Sequence, residues 1–155
     1  RRMMRSPTDW MNIAHNSNEH ATDYMRRRIS NKVQLMTHLP EEPIGGMYCL
    51  PLLEWVIENL CKNAIDAMDG EGSIDVSLQA DKDKCYIDVR DTGKGIPRKR
   101  FKTVFNPGYT TKKRGWGLGL TLVKRIIEEY HEGRIYVKES EPGKGTTFRI
   151  ELKRS

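Results

Sequence analysis

No stretch of this chain stays apolar for anything near the ~20 residues that a bilayer-spanning helix needs, so no membrane segment is expected in it. Cysteine is scarce: Cys49, Cys61 and Cys85 are three, an odd number with no C-x-x-C pair. That excludes a disulfide framework and a cysteine zinc site and points to a reducing, cytoplasmic setting. The four histidines, His15, His20, His38 and His131, lack metal-ligand spacing. Charge of one sign does not dominate either, because 27 basic residues are interleaved with 21 acidic ones for a net +6. The runs Arg26-Arg27-Arg28 and Arg98-Lys99-Arg100 are short and read as solvated faces, so neither nucleic acid nor direct membrane contact is expected. The opening Arg1-Arg2-Met3-Met4-Arg5 lacks the apolar core and small-residue cleavage site of a signal peptide and reads as the trailing end of something upstream.

What is present suits one globular domain: 155 residues, 37% hydrophobic and 31% charged. Residues 1–16, polar and irregular, read as a linker, and residues 17–155 as the domain. A helix is expected over 17–29, a strand over 32–37 and a short strand over 47–49. The strongest helix runs from Pro51, a residue tolerated in a first turn, to Met68, with Leu53, Val56, Ile57, Leu60 and Ala64 at three- and four-residue spacing. A hairpin follows, Ser73 to Leu78 and Cys85 to Arg90. After a loop rich in Gly and Pro, a second amphipathic helix spans Leu118 to Tyr130. Strands over 134–138 and 146–152, joined by the turn Glu141 to Gly145, end the chain. This order predicts an α+β two-layer sandwich, with helices on one face of a mixed sheet.

Three blocks carry chemistry. On the first long helix Asn59 and Asn63 stand four apart and share a face, with Asp66 beside them at the edge of the apolar stripe. An amide oxygen is a hard, neutral ligand suited to Mg²⁺, which completes its shell with water and phosphate oxygens. Alone, the pair equally suits two exposed or backbone-bonded amides. The second block, Asp91-Thr92-Gly93-Lys94-Gly95-Ile96, lies where a strand ends. An ionised carboxylate only accepts hydrogen bonds, so Asp91 suits the exocyclic amino group of adenine and disfavours the carbonyl that guanine presents there. Gly93 and Gly95 let backbone approach a flat base, although the same residues would also make an ordinary turn. The third block, Arg114-Gly115-Trp116-Gly117-Leu118-Gly119-Leu120, opens the second helix, where backbone N–H groups beside glycines make an anion site. A dinucleotide fingerprint needs a preceding strand of a βαβ unit, which is missing here, as is a Walker A loop. Between these two blocks lie Phe101, Phe105, Asn106-Pro107-Gly108-Tyr109-Thr110-Thr111 and then Lys112, Lys113 and Arg114. This polar segment is hinged by Pro and Gly, and its cations abut the glycine-rich turn, where they suit phosphate.

In this order the blocks resemble the asparagine box, first glycine box, phenylalanine box and second glycine box of the family shared by DNA gyrase, a heat-shock chaperone, histidine kinases and mismatch-repair ATPases. Gly143-Lys144-Gly145-Thr146-Thr147-Phe148 is similar to the closing glycine box, and the resemblance covers residues 20 to 152. It implies the Bergerat ATP-binding fold with a mostly antiparallel sheet, ATP and Mg²⁺ as ligands, Asn63 on the metal and Asp91 on adenine. It further implies Thr146 in the nucleotide pocket, the segment from Phe105 to Arg114 as a mobile ATP lid, and Lys62 and Asp66 lining the phosphate side.

The hydrolytic branches of that family carry a Glu four residues before the metal-binding Asn; this chain has Asn59. An amide cannot take a proton at neutral pH, and Glu58 is rotated by ~100° around the helix, toward solvent. The pattern Asn-x-x-x-Asn with Gly-Tyr-Thr-Thr-Lys and Gly-x-Gly-Leu-Gly-Leu resembles histidine kinases of the nitrogen-regulator type. That resemblance implies transfer of the γ-phosphate to a histidine on a dimerisation segment outside the chain, in cis or trans, and a response regulator reached through the parent protein. His131-Glu132 is not followed by the pattern of an acceptor histidine. Two alternatives stay open at this point: a serine kinase of the anti-sigma-factor type, and a degenerate module whose ATP occupancy gates docking.

Overall fold

A computed structural model describes residues 32–40, 44–46, 48–109 and 119–154. The helix expected over 17–29 and the linker over 1–16 fall outside them. β1 (Val33–His38) alternates half-buried and exposed residues along its length. Of the strand expected at 47–49, Met47 lies outside the described residues, Tyr48 is irregular, and Cys49 makes an isolated bridge and is at once the N-cap of α1 (Leu50–Ala67), so the chain turns helical there.

In α1 the buried stripe is wider than the spacing alone indicated. Leu53, Val56, Ile57, Leu60, Cys61, Ala64, Ile65 and Met68 are all buried. The helix stops where Asp69 and Gly70 take φ of 53° and 78°, and the Gly70 N–H returns to the Ile65 carbonyl at 3.1 Å. Such a left-handed stop favours glycine because it has no Cβ to clash.

β2 (Gly72–Ala80) and β3 (Lys84–Asp91) form the expected antiparallel hairpin. Its turn is fixed by Asp81, whose Oδ1 accepts the N–H groups of Asp83 and Lys84 at 2.9 and 2.8 Å. The loop after β3 holds two 3₁₀ turns that the sequence pattern did not show, Arg98–Arg100 and Thr103–Phe105. α2 (Gly119–Arg125) continues as a π-helical turn over Ile126–Tyr130. The final pair, β4 (Arg134–Glu141) and β5 (Gly145–Lys153), is antiparallel with a bulge between Val137 and Glu139.

The sheet order is β1-β2-β3-β5-β4, and only β1 with β2 is parallel. A parallel pair needs a crossover connection, and α1 supplies it. Register stacks Val76, Val89, Phe148 and Val137 in one row and Leu78, Ile87, Ile150 and Ile135 in the next. These rows face the helices and, with α1 and Val123 and Ile127 of the second helix, make the core. Each fully buried Leu, Ile or Phe there contributes roughly 1.5–3 kcal/mol. The alternate residues on the other face are polar: Ser77, Asp88, Arg149 and Tyr136 lie in one row. The expected sandwich is therefore the observed one.

Candidate active site

The site forms where the end of β3, the middle of α1 and the start of α2 meet. Asp91 is the last residue of β3 and is buried at 5% exposure. Its Oδ1 accepts the N–H of Gly93 at 2.8 Å and that of Thr146 at 3.3 Å. Among the described residues nothing donates to Oδ2. Burial raises the Asp91 pKa above the usual carboxylate range, and the two backbone donors oppose that shift. The result is a carboxylate with one oxygen fixed by the fold and the other without a donor among the described residues.

The backbone around Asp91 is packed tightly against neighbouring segments. A Cβ on Gly93 would meet the Ala67 carbonyl oxygen at 2.5 Å, and one on Gly95, where φ is 80°, would strike the Glu141 carbonyl. Next to it, Thr146 of β5 faces Ser140 of β4 in register. The Ser140 hydroxyl accepts from the Ile96 N–H at 2.7 Å, lies 2.8 Å from Thr146 Oγ1 and donates to the Gly145 carbonyl at 3.0 Å. Ser140 thus ties the loop after Asp91 to the β4–β5 end. Sequence reasoning missed it, because only strand register brings it opposite Thr146.

On α1, Asn59, Lys62 and Asn63 are half-buried and Asp66 is exposed. Asn59 donates its Nδ2 to the Trp55 carbonyl at 2.9 Å, within its own helix. Its Oδ1 therefore points outward and comes 3.5 Å from the Cβ position of Gly119, the first residue of α2. Glu58, expected to face solvent, is half-buried instead. The wide buried stripe of α1 brings it close to Cys61, whose thiol is pushed up to about 12, first by burial and then by the Glu58 charge.

Phe105 is buried with its ring edge-on to Phe148 at 6.0 Å, and Lys124 lies 5.6 Å over its face. Thr121, another residue with no signal in the sequence, donates its hydroxyl to the Phe105 carbonyl at 2.9 Å. Ile96, Tyr109 and Leu120 are half-buried around the same core. Thr110, Thr111, Lys112, Lys113, Arg114, Gly115, Gly117 and Leu118 lie outside the described residues. His131 is held on both ring nitrogens, accepting from the Cys49 N–H at 3.0 Å through Nε2 and donating through Nδ1 to the Ile126 carbonyl at 3.0 Å. It is a clamp between the two helices, in keeping with a structural histidine. Among the described residues no cluster of His, Cys, Asp and Glu could hold a metal ion, so a divalent ion here would rest on amide and phosphate oxygens. Asn59 and Asn63 fit that donor set.

Residues 50–155 match the family described as histidine kinase-, DNA gyrase B- and HSP90-like ATPase. Sporulation kinase E of Bacillus subtilis (strain 168) is 42% identical over 144 residues, which is 86% of this chain and 19% of that protein. The sensor histidine kinase ZraS of Salmonella typhimurium is 45% identical over 101 residues, 64% of this chain and 21% of that protein. The chain thus spans about a fifth of the length of these relatives. Among solved structures, the catalytic domain of the histidine kinase ThkA superposes with a TM-score of 0.82 at 23% identity, covering 99% of each chain. The mycobacterial sensor histidine kinase MprB gives 0.76 at 25% identity, covering 93% of each.

Proposed function

The chain belongs to the histidine kinase-, DNA gyrase B- and HSP90-like ATPase family of ATP-binding domains, and from that premise we propose that it is the catalytic domain of a two-component sensor histidine kinase. The observation that carries the kinase reading, as against hydrolysis, is Asn59. Its amide nitrogen is bound to the Trp55 carbonyl, so an oxygen with no basic character faces the start of α2, where a hydrolytic enzyme would place a carboxylate to activate water. ATP held here would keep its γ-phosphate until a better nucleophile than water arrives.

In this reading Asp91 accepts the adenine amino group through Oδ2, while Gly93, Gly95 and the Ser140–Thr146 pair hold the loop against the base. Asn63, with Asn59 beside it, would hold Mg²⁺, which when bound neutralises phosphate charge. Lys62, Asp66, the segment from Thr110 to Arg114 and the glycine-rich turn of Gly115, Gly117, Leu118, Gly119 and Leu120 would line the phosphates. A neutral imidazole nitrogen from a separate phosphoacceptor domain attacks the γ-phosphorus, the N–P bond forms as the bond to the β,γ-bridging oxygen breaks, and ADP leaves. Lys112, Lys113 and Arg114 offset the charge of the loose transition state. Residues 1–16 would connect to that acceptor domain, and the parent protein would pass the phosphoryl group to a response regulator in the cytoplasm.

The test is transfer from labelled ATP to an added histidine-bearing domain of a related kinase, after ATP binding has been measured by calorimetry. An acid-labile phosphohistidine that disappears with Asn63→Ala supports the reading. An acid-stable phosphoserine on a partner would select the serine-kinase alternative. Tight ATP binding with no transfer to any acceptor would leave a nucleotide-gated docking module.

A further inference from the structure

From residue 92 to residue 127 the chain holds ten Lys and Arg and not one Asp or Glu. Half of these cations lie between Lys94 and Lys102, around the first 3₁₀ turn, and the structure shows what the turn stands against. It leaves a cleft of about 410 Å³ beside β4, lined by Arg98, Phe101, Val137, Lys138, Glu139 and Ser140. β4 is the outer strand of the sheet, and its bulge falls at Lys138. The floor is apolar, with Phe101 half-buried and Val137 buried, while Arg98 and Lys138 stand at the walls.

Elsewhere several cations are paired, Arg125 with Glu129 at 3.0 Å, Arg134 with Glu151 at 3.6 Å, Lys144 with Glu141 at 3.4 Å and Arg149 with Asp88 at 2.8 Å, while single exposed cations such as Lys82 and Arg90 also meet no carboxylate among the described residues. Lys138 also reaches Asp88, at 3.7 Å. The side chains of Arg98, Lys99, Arg100 and Lys102 are exposed and meet no carboxylate among the described residues. Four like charges on neighbouring turns repel one another, and an anion docked on them would relieve that repulsion.

We infer that this cleft is a docking site for an acidic segment of a partner protein, one that lays carboxylates along Arg98, Lys99 and Arg100 and sets an apolar side chain on Phe101 and Val137. An apolar floor inside a cationic rim is the arrangement of a peptide-recognition groove, in which the anchor supplies affinity and the rim supplies encounter rate and selectivity. The apolar residues Phe101 and Val137 in the lining favour a peptide that carries an apolar side chain over a uniform polyanion such as nucleic acid. A membrane surface would need apolar side chains beside the cations. The exposed large hydrophobics among the described residues, Met36, Leu39, Leu122 and Tyr130, lie on other elements. The cleft adjoins the nucleotide site at Ser140, but its cations are not among the residues proposed to hold ATP, and the inference does not rest on the kinase reading.

The test uses the whole chain, saturated with ADP and Mg²⁺, and a labelled Glu-rich peptide carrying a central Phe, followed by fluorescence anisotropy. Binding should weaken at least about tenfold in Arg98→Glu/Lys99→Glu/Arg100→Glu and fall with added salt. It should stay unchanged in Lys112→Glu/Lys113→Glu and weaken by roughly fivefold when the peptide's Phe is replaced by Ser. If the triple variant melts early, Arg98→Glu alone should still weaken binding about threefold with an unchanged thermal midpoint. Equal binding to wild type and both charge variants would overturn the inference. So would a loss that follows Lys112 and Lys113, or tighter binding to duplex DNA or to anionic phospholipid vesicles than to the peptide.

Discussion

Asp91 stands in a place that disfavours charge. Burial raises its pKa, so above that raised value the folded state carries a cost that the unfolded chain does not. The cost fades as pH falls through the folded pKa, because the folded protein then holds a proton that the unfolded chain has already released. Asp91→Asn should therefore raise the melting temperature of the ligand-free chain at neutral pH, and the gain should shrink under acid. Asn can still accept from the Gly93 and Thr146 N–H groups, but it turns an amide donor toward the adenine amino group. ATP affinity should fall at least about tenfold, roughly the loss of one hydrogen bond to a charged group. Calorimetry beside thermal melts at two pH values checks both halves; a variant that melts lower and binds ATP normally would contradict this role. At Gly93 the constraint is steric: Gly93→Ala places a methyl against the Ala67 carbonyl, and ATP affinity should drop with Asp91 untouched.

At the level of elements, two side-chain bridges carry what the ladders and the core leave open. His131 joins the N-cap of α1 to the π-helical turn after α2. His131→Ala leaves the Cys49 N–H and the Ile126 carbonyl without these partners and should lower stability by about 1–3 kcal/mol in urea unfolding. On the outer sheet face the bidentate pair of Asp88 with Arg149, at 2.8 Å on each arm, links β3 to β5. Asp88 is only 7% exposed. Asp88→Ala should cost roughly 3 kcal/mol because it strands a half-buried guanidinium, and Asp88→Ala with Arg149→Met should recover much of that loss. A double variant as unstable as the sum of the singles would show that the pair is not coupled.

For the molecule as a whole, a ligand that binds only the folded state adds stability by mass action. ATP with Mg²⁺ at a hundredfold excess over its Kd should contribute about 2.7 kcal/mol, a rise of roughly 5–10 °C in melting temperature for a domain of this size. GTP at the same concentration should give little shift, and equal shifts with the two nucleotides would remove the adenine-reading role of Asp91.

The two long helices, the hairpin and the closing strand pair were legible in the sequence because each repeats its own period: Leu53, Val56, Ile57, Leu60 and Ala64 at helical spacing, Cys85, Ile87 and Val89 at every second residue. Asn59, Asn63 and Asp91 stood out as candidates because they stand inside short glycine- or amide-marked blocks. Three features were not legible. Ser140 reaches Thr146 only through the register of β4 on β5, Thr121 reaches the Phe105 carbonyl only through the docking of α2, and Glu58 is half-buried because α1 packs over a broader face than its stripe showed. The cationic cleft belongs with these: the run at Arg98 reads as an ordinary solvated face until the first 3₁₀ turn is set against the edge of β4. Periodicity determines which elements form, and local chemistry marks which residues are candidates for the site. What lies opposite them depends on register and packing between segments far apart in the chain, and only the tertiary structure decides that.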